Sequence, residues 1–170
     1  MKVFLSLLLL ALVGTTTLAL AKTPGEVEVG GILREAPMQG LSGSSLLLSD
    51  FLGKPLIINV WASWCGPCRA EMGSLERLSR RSGGKQFVVI GISTDDYRDA
   101  AKAYLEKSRT TFIHFIDSRL ALENMLGADR IPLTLLVDAK GRVLGKYYGA
   151  KEWDSPESID LIRKTFGIRM

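Results

Sequence analysis

The chain has few of the residues that build reactive or metal-bound centres. In 170 residues there are two cysteines, Cys65 and Cys68, and one histidine, His114. Two cysteines exclude a disulfide-scaffolded mini-protein and a four-cysteine zinc centre. A single histidine means that any Ser–His or Cys–His pair would have to use His114. Positive charge is thin as well: the net charge is +4, and no run of Lys or Arg exceeds two residues. Nucleic-acid surfaces carry basic stripes with interleaved aromatics, so a nucleic-acid partner is not expected.

What remains is an ordinary globular chain. Its length corresponds to one domain, or one domain and a short extra segment. A fold of this size buries roughly 70% of its unfolded surface and needs no metal or disulfide staple. Hydrophobic residues make up 46% and charged residues 24%, which argues against disorder.

Residues 1–21 read as a targeting segment. Met1-Lys2 is a short positive start, Val3 to Val13 is apolar, and Ala19-Leu20-Ala21 is a small-x-small cleavage site before Lys22. The alternative is an uncleaved anchor, because Val3 to Ala21 carries no charge and nearly spans a bilayer. Either way the domain is expected outside the cytoplasm, in the periplasm, where disulfides persist. Residues 22–40 are rich in Gly, Pro and Glu and read as a linker or irregular arm; residues 41–170 read as the folded domain.

Within that domain, Leu46-Leu47-Leu48 is a short apolar run followed by Ser49-Asp50, the cap of a single turn. Pro55 to Trp61 is nearly all apolar, as a strand covered on both faces must be. A helix is predicted from Cys65 to about Arg80, with Met72, Leu75 and Leu78 at core spacing. Phe87–Ile92 is a second buried strand. Asp95 or Asp96 is expected to cap a helix running to Lys107, followed by a strand at Phe112–Ile116 and a short helix at Leu120–Leu126, stopped by Gly127. Leu133–Val137 and Val143–Tyr148 form a hairpin around Asp138-Ala139-Lys140-Gly141. Ser155-Pro156-Glu157 opens the last helix. This order is that of an α/β fold with a mixed sheet. His114, in an apolar strand, reads as structural. Trp61 reads as core, Trp153 as packing for the last helix, and Arg80-Arg81 as a solvated face.

Trp64-Cys65-Gly66-Pro67-Cys68 sits where a buried strand passes into a helix. Two residues between the cysteines let the thiols meet across one helical turn. The first lies at the helix N-terminus, where unpaired N–H groups and the positive dipole end stabilise a thiolate. The second lies behind it and can attack only a mixed disulfide that the first already holds. Pro67 is tolerated in the first turn because its missing N–H would have no partner there. Half a zinc site would need ligands that this chain lacks, apart from His114. A structural disulfide closing so short a loop would add little stability. Redox chemistry is the stronger reading, and it needs no cofactor or metal.

The segment Asn59-Val60-Trp61-Ala62-Ser63-Trp64-Cys65-Gly66-Pro67-Cys68-Arg69-Ala70-Glu71 resembles the active site of exported thioredoxin-like disulfide oxidoreductases, the TlpA/ResA group. The resemblance covers most of residues 41–166. It includes Ile131-Pro132, at the position of the thioredoxin cis-proline, and Asp95 to Asp117, similar to the helix and strand this group inserts. It implies a thioredoxin-like fold with a central mixed sheet, an N-terminal extension and an inserted helix-strand segment. It also implies a redox-active disulfide between Cys65 and Cys68, and substrate contacts from Trp64, Gly66, Pro67, Ile131 and Pro132. Thioredoxin places a buried Asp where this chain has Asn59, which cannot take a proton. The group carries a Glu at the position of Glu71, expected to tune the thiols and to accept the proton of Cys68. A solvated helix Glu is the plain alternative. Two positions depart from the group: Gly73 stands where a helix-kinking Pro is usual, and Leu133 where one cytochrome-maturation branch has an acid.

The expected activity is thiol-disulfide exchange, most simply reduction of disulfides in exported proteins by a monomer that a membrane electron donor recharges. Cytochrome c maturation or copper-site assembly would be its setting. The alternatives are an exported oxidase or isomerase of the same fold, and a copper-handling module, for which Met72 is the only nearby thioether. A thiol peroxidase is disfavoured, because Ala62 stands where such an enzyme needs Thr or Ser.

Overall fold

The computed structural model describes residues 25–169; the expected targeting segment at 1–21 lies outside them. The centre of the sheet is β3 (Leu56–Trp61), whose six residues are all buried. It pairs in parallel with β4 (Val88–Ser93) and antiparallel with β6 (Leu133–Val137). A strand with neighbours on both edges and helices on both faces needs apolar residues on both faces, which its sequence provides. Beyond β4 lies β5 (Ile113–Ile116), in parallel, and beyond β6 lies β7 (Val143–Tyr148), completing the expected hairpin.

On the far side of β5 the sheet continues through β1 (Pro37–Gly40) to β2 (Leu46–Leu47), giving a seven-stranded mixed sheet ordered β2-β1-β5-β4-β3-β6-β7. The end of the segment read as an irregular arm is therefore a strand. Its sequence, Pro-Met-Gln-Gly, has no β-branched residue, and only Met38 and Gly40 are buried. So weak an alternation over four residues gives no period to read; pairing with β5 supplies the order. Residues 27–33 lie on the domain, tied by Val27 N–H to the Met125 carbonyl at 2.9 Å and Gly30 N–H to that of Val143 at 2.7 Å.

Strand alternation divides the core. Ile57 and Trp61 face the layer of α1 (Gly66–Ser82) and α4 (Pro156–Phe166), with Leu75, Leu78, Trp153 and Ile162. Ile58 and Val60 face the opposite layer, with Phe115, Leu122 and Leu126, the last two from α3 (Ala121–Leu126). Asn59 shares the parity of Ile57 and Trp61, which places a polar group on the α1 side. Ser155 caps α4 by accepting from Ser158 N–H at 3.2 Å, with Pro156 at the start, as its sequence predicts. The fold is thioredoxin-like.

Candidate active site

Cys65 is the N-cap of α1, and its sulfur accepts the Cys68 N–H at 3.2 Å. A sulfur at a helix N-terminus meets unpaired N–H groups and the positive dipole end, and both favour a thiolate after reduction. The first turn of α1 holds Gly66 and Pro67 and no acid that would oppose that charge. Cys65 and Cys68 form a disulfide, with Cα atoms 5.3 Å apart. Cys65 is 5% exposed and Cys68 0%. Trp64 stands beside it, 70% exposed. The Ile131–Pro132 bond is cis, and the Ile131 carbonyl oxygen is 3.8 Å from Cys65 Sγ. Cys65, Cys68, Gly66, Pro67, Trp64 and Ile131 thus gather at one end of β3 and β6.

Glu71 is not a solvated helix residue. It points into the domain and is 1% exposed. Its Oε1 accepts from Asn59 Nδ2 at 2.7 Å; its Oε2 accepts from Lys151 N–H at 3.1 Å and Trp153 Nε1–H at 3.0 Å. Burial pushes its pKa above the usual carboxylate value, and the hydrogen bonds from Lys151, Trp153 and Asn59 offset only part of that rise. Such a group sits nearer neutrality, where a base for thiol chemistry is useful. The helix runs unbroken through Gly73. Met72, the thioether near the pair, is packed in the core.

Trp153 does more than pack α4. Besides its bond to Glu71, its backbone N–H donates to Ser74 Oγ at 2.9 Å, and Ser74 Oγ–H donates to the Glu71 carbonyl at 2.7 Å. The segment after β7 is therefore latched to α1 at the depth of Glu71. No motif announces this, because an isolated Trp before a helix cap is usually only packing.

Asp95 corrects the sequence reading in a second way. The helix it was expected to cap, α2 (Arg98–Ser108), begins later and has Tyr97 as its N-cap. Asp95 instead turns back to the active-site loop. Its Oδ2 accepts from Ser63 N–H at 2.9 Å and Ser93 Oγ–H at 2.7 Å, and its Oδ1 from Ser63 Oγ–H at 2.6 Å. A carboxylate that takes three donors can hold the loop two residues before Cys65 at a fixed distance from β4. Asp95→Ala strands these buried donors, so it is expected to destabilise the fold by about 2–4 kcal/mol and to slow exchange at Cys65. An unchanged urea midpoint would show that Asp95 holds nothing in place.

Among the described residues, no group of three or more His, Cys, Asp or Glu side chains could hold a metal ion. The comparisons agree with the geometry. Residues 31–161 match the Redoxin family. The chain is 31% identical over 165 residues to the thioredoxin-like protein YneN of Bacillus subtilis, covering 91% of this chain and 95% of that protein. It is 29% identical over 127 residues to the thiol-disulfide oxidoreductase ResA of Bacillus thuringiensis, covering 73% and 72%. A crystal structure from Chlorobium tepidum superposes with a TM-score of 0.76 at 24% identity, over 82% of this chain and 99% of that one, which shows the shared fold. With the Cys65–Cys68 disulfide at the head of α1, the chain belongs to the Redoxin family as a thioredoxin-like thiol-disulfide oxidoreductase of the ResA/TlpA type.

Proposed function

We propose that the protein reduces disulfides in exported protein substrates, with Cys65 as the attacking sulfur, Cys68 as the resolving sulfur and Glu71 as the proton acceptor. The observation that carries this is the asymmetry of the pair: Cys65 caps the helix and keeps 5% of its surface exposed, while Cys68 lies within the first turn and keeps none. The Cys65 thiolate attacks one sulfur of the substrate disulfide. A mixed disulfide forms and the other substrate sulfur leaves, taking a proton from water. Cys68 then loses its proton to Glu71 and attacks Cys65 Sγ. The second substrate sulfur departs as a thiolate and is protonated, and the Cys65–Cys68 bond closes. Two electrons have passed to the substrate, so a dithiol donor at the membrane must restore the pair. The exposed ring of Trp64 and the backbone at Ile131 and Pro132 offer an apolar surface and main-chain groups to an extended substrate segment.

We place this work in the periplasm, with cytochrome c maturation or copper-site assembly as the setting and a monomer as the working form. The apolar 3–21 stretch supports export. No helix among the described residues is long and apolar enough to cross a membrane.

Cys68→Ser is expected to accumulate a mixed disulfide through Cys65, read by mass spectrometry after incubation with a disulfide-bonded protein. The converse outcome, adducts on Cys68 in Cys65→Ser at comparable yield, sinks the assignment of roles. The direction is read from the reduction potential: a value near that of thioredoxin, about −270 mV, supports reduction, and one near that of DsbA, about −120 mV, makes the protein an oxidant.

A further inference from the structure

Buried polar atoms are almost always hydrogen-bonded, and among the described residues one of the few exceptions lies next to Glu71. Asn59 is 0% exposed. Its Nδ2 donates to Glu71 Oε1 at 2.7 Å and to Thr134 Oγ1 at 3.0 Å. Its Oδ1 has no partner among the described residues. Carbonyl and NH2 ends of an amide have nearly the same shape, so a half-turn exchanges them without repacking. The Thr134 hydroxyl can donate or accept and serves either orientation. Glu71 cannot: its charge state decides which end of the amide it tolerates.

An ionised Oε1 needs the Nδ2 donor, which is the arrangement present. A proton cannot settle on Oε2, because the Lys151 and Trp153 N–H groups both point at that oxygen. It can settle on Oε1 only if the amide turns to offer Oδ1 as acceptor. Nδ2 then moves to the buried position that Oδ1 now occupies, where it has no acceptor, and an unpaired buried donor is costly.

We propose that Asn59 is a positioning residue for the exchange reaction: its amide, held between Glu71 and Thr134, directs the proton from Cys68 to Oε1 and penalises its staying there. The inference rests on the reading of Glu71 as the proton acceptor. It makes the acid a transient base, loaded as Cys68 attacks and emptied before the next cycle. The groups bonded to Glu71 are Asn59 on β3, with Thr134 of β6 behind it, and the Lys151 N–H and Trp153 indole from the segment before α4; Cys68 lies one helical turn earlier on α1. Burial and these hydrogen bonds, rather than a charged side chain among the described residues, set its acidity.

The test is a pH titration of the Glu71 carboxyl by ¹³C NMR in the oxidised full chain, with the Asn59 side-chain amide followed by ¹⁵N NMR. In the wild type the Asn59 NH2 signals should move with the same midpoint as the Glu71 carboxyl. In Asn59→Leu the carboxyl midpoint should rise by about one pH unit, a tenfold gain in proton affinity, and the pH profile of exchange should move with it. Asn59→Ala removes the amide without a new side chain and should act in the same direction if the leucine variant does not fold. An unmoved carboxyl midpoint in either variant, or amide signals indifferent to the carboxyl titration, overturns the proposal. Failure of the Glu71 reading looks different: the variants move the carboxyl midpoint, yet Glu71→Gln leaves thiol titration and turnover as in the wild type.

Discussion

Replacing His114 with Phe should make the fold less sensitive to acid. His114 is buried, and both ring nitrogens lack partners among the described residues. Its ring lies 4.2 Å from that of Phe112 and 5.4 Å from that of Trp61, and a Cβ on Gly91 would come within 2.1 Å of Nδ1. Gly91 is there because the imidazole occupies the space a side chain would need. Burial holds the His114 pKa down to about 3, with Glu76 pulling weakly the other way. The unfolded chain therefore binds a proton below about pH 6.5 that the folded chain refuses. Stability is full above pH 6.5 and falls as the pH drops from there towards 3. At pH 4 the loss is about 3 kcal/mol, a large part of ordinary domain stability. The raised pKa values of Glu71 and Asp117 act in the opposite sense, since folding favours their protonated forms. The difference between wild type and His114→Phe isolates the histidine. Urea unfolding should give similar stabilities at pH 8 and an advantage of about 3 kcal/mol for the variant at pH 4. Parallel stability curves across this range would mean that His114 is protonated without penalty.

Glu71→Gln should separate charge from proton transfer. The amide fits: its carbonyl can accept from Lys151 and Trp153, and its NH2 can face an Asn59 turned to offer Oδ1. The fold should persist at a cost of about 1–3 kcal/mol for the Asn59 donor left unpaired. Removing a negative charge beside the pair should move the thiol titration of the reduced protein to lower pH. If Glu71 accepts the Cys68 proton as proposed, the variant should slow the step that Cys68 performs by tenfold or more, at the low end of general-base effects of about 10²–10⁴. More thiolate with less turnover is the signature. It is read from thiolate absorbance against pH, paired with turnover on a model disulfide. If both fall or rise together, Glu71 acts through charge alone.

The redox pair was legible because its logic is local. Strand, Trp64, the two cysteines and the helix lie within one stretch of chain, and the dipole argument needs nothing else. β3, β4, β6 and β7 were legible from their apolar runs and turn residues. The partners of Glu71 were not, because they come from positions 12, 80 and 82 residues away. Periodicity says which face of a strand Asn59 occupies, but not which carboxylate waits above it. Asp95 misled for a related reason: an Asp-Asp pair before a helix has the composition of a cap, and only the tertiary path of the Ser63 loop gives it another task. β1 escaped because it is short and borrows its order from β5.

The reach of those bonds also sets a timetable. Glu71 takes its partners from β3 and from the Lys151–Trp153 segment that closes the domain near its C-terminal end. A chain folding from its N-terminus exposes Cys65 and Cys68 long before Trp153 arrives. Until that segment docks, Glu71 lacks two of its three hydrogen-bond donors. Docking of the last segment is therefore the event that completes the surroundings of Glu71.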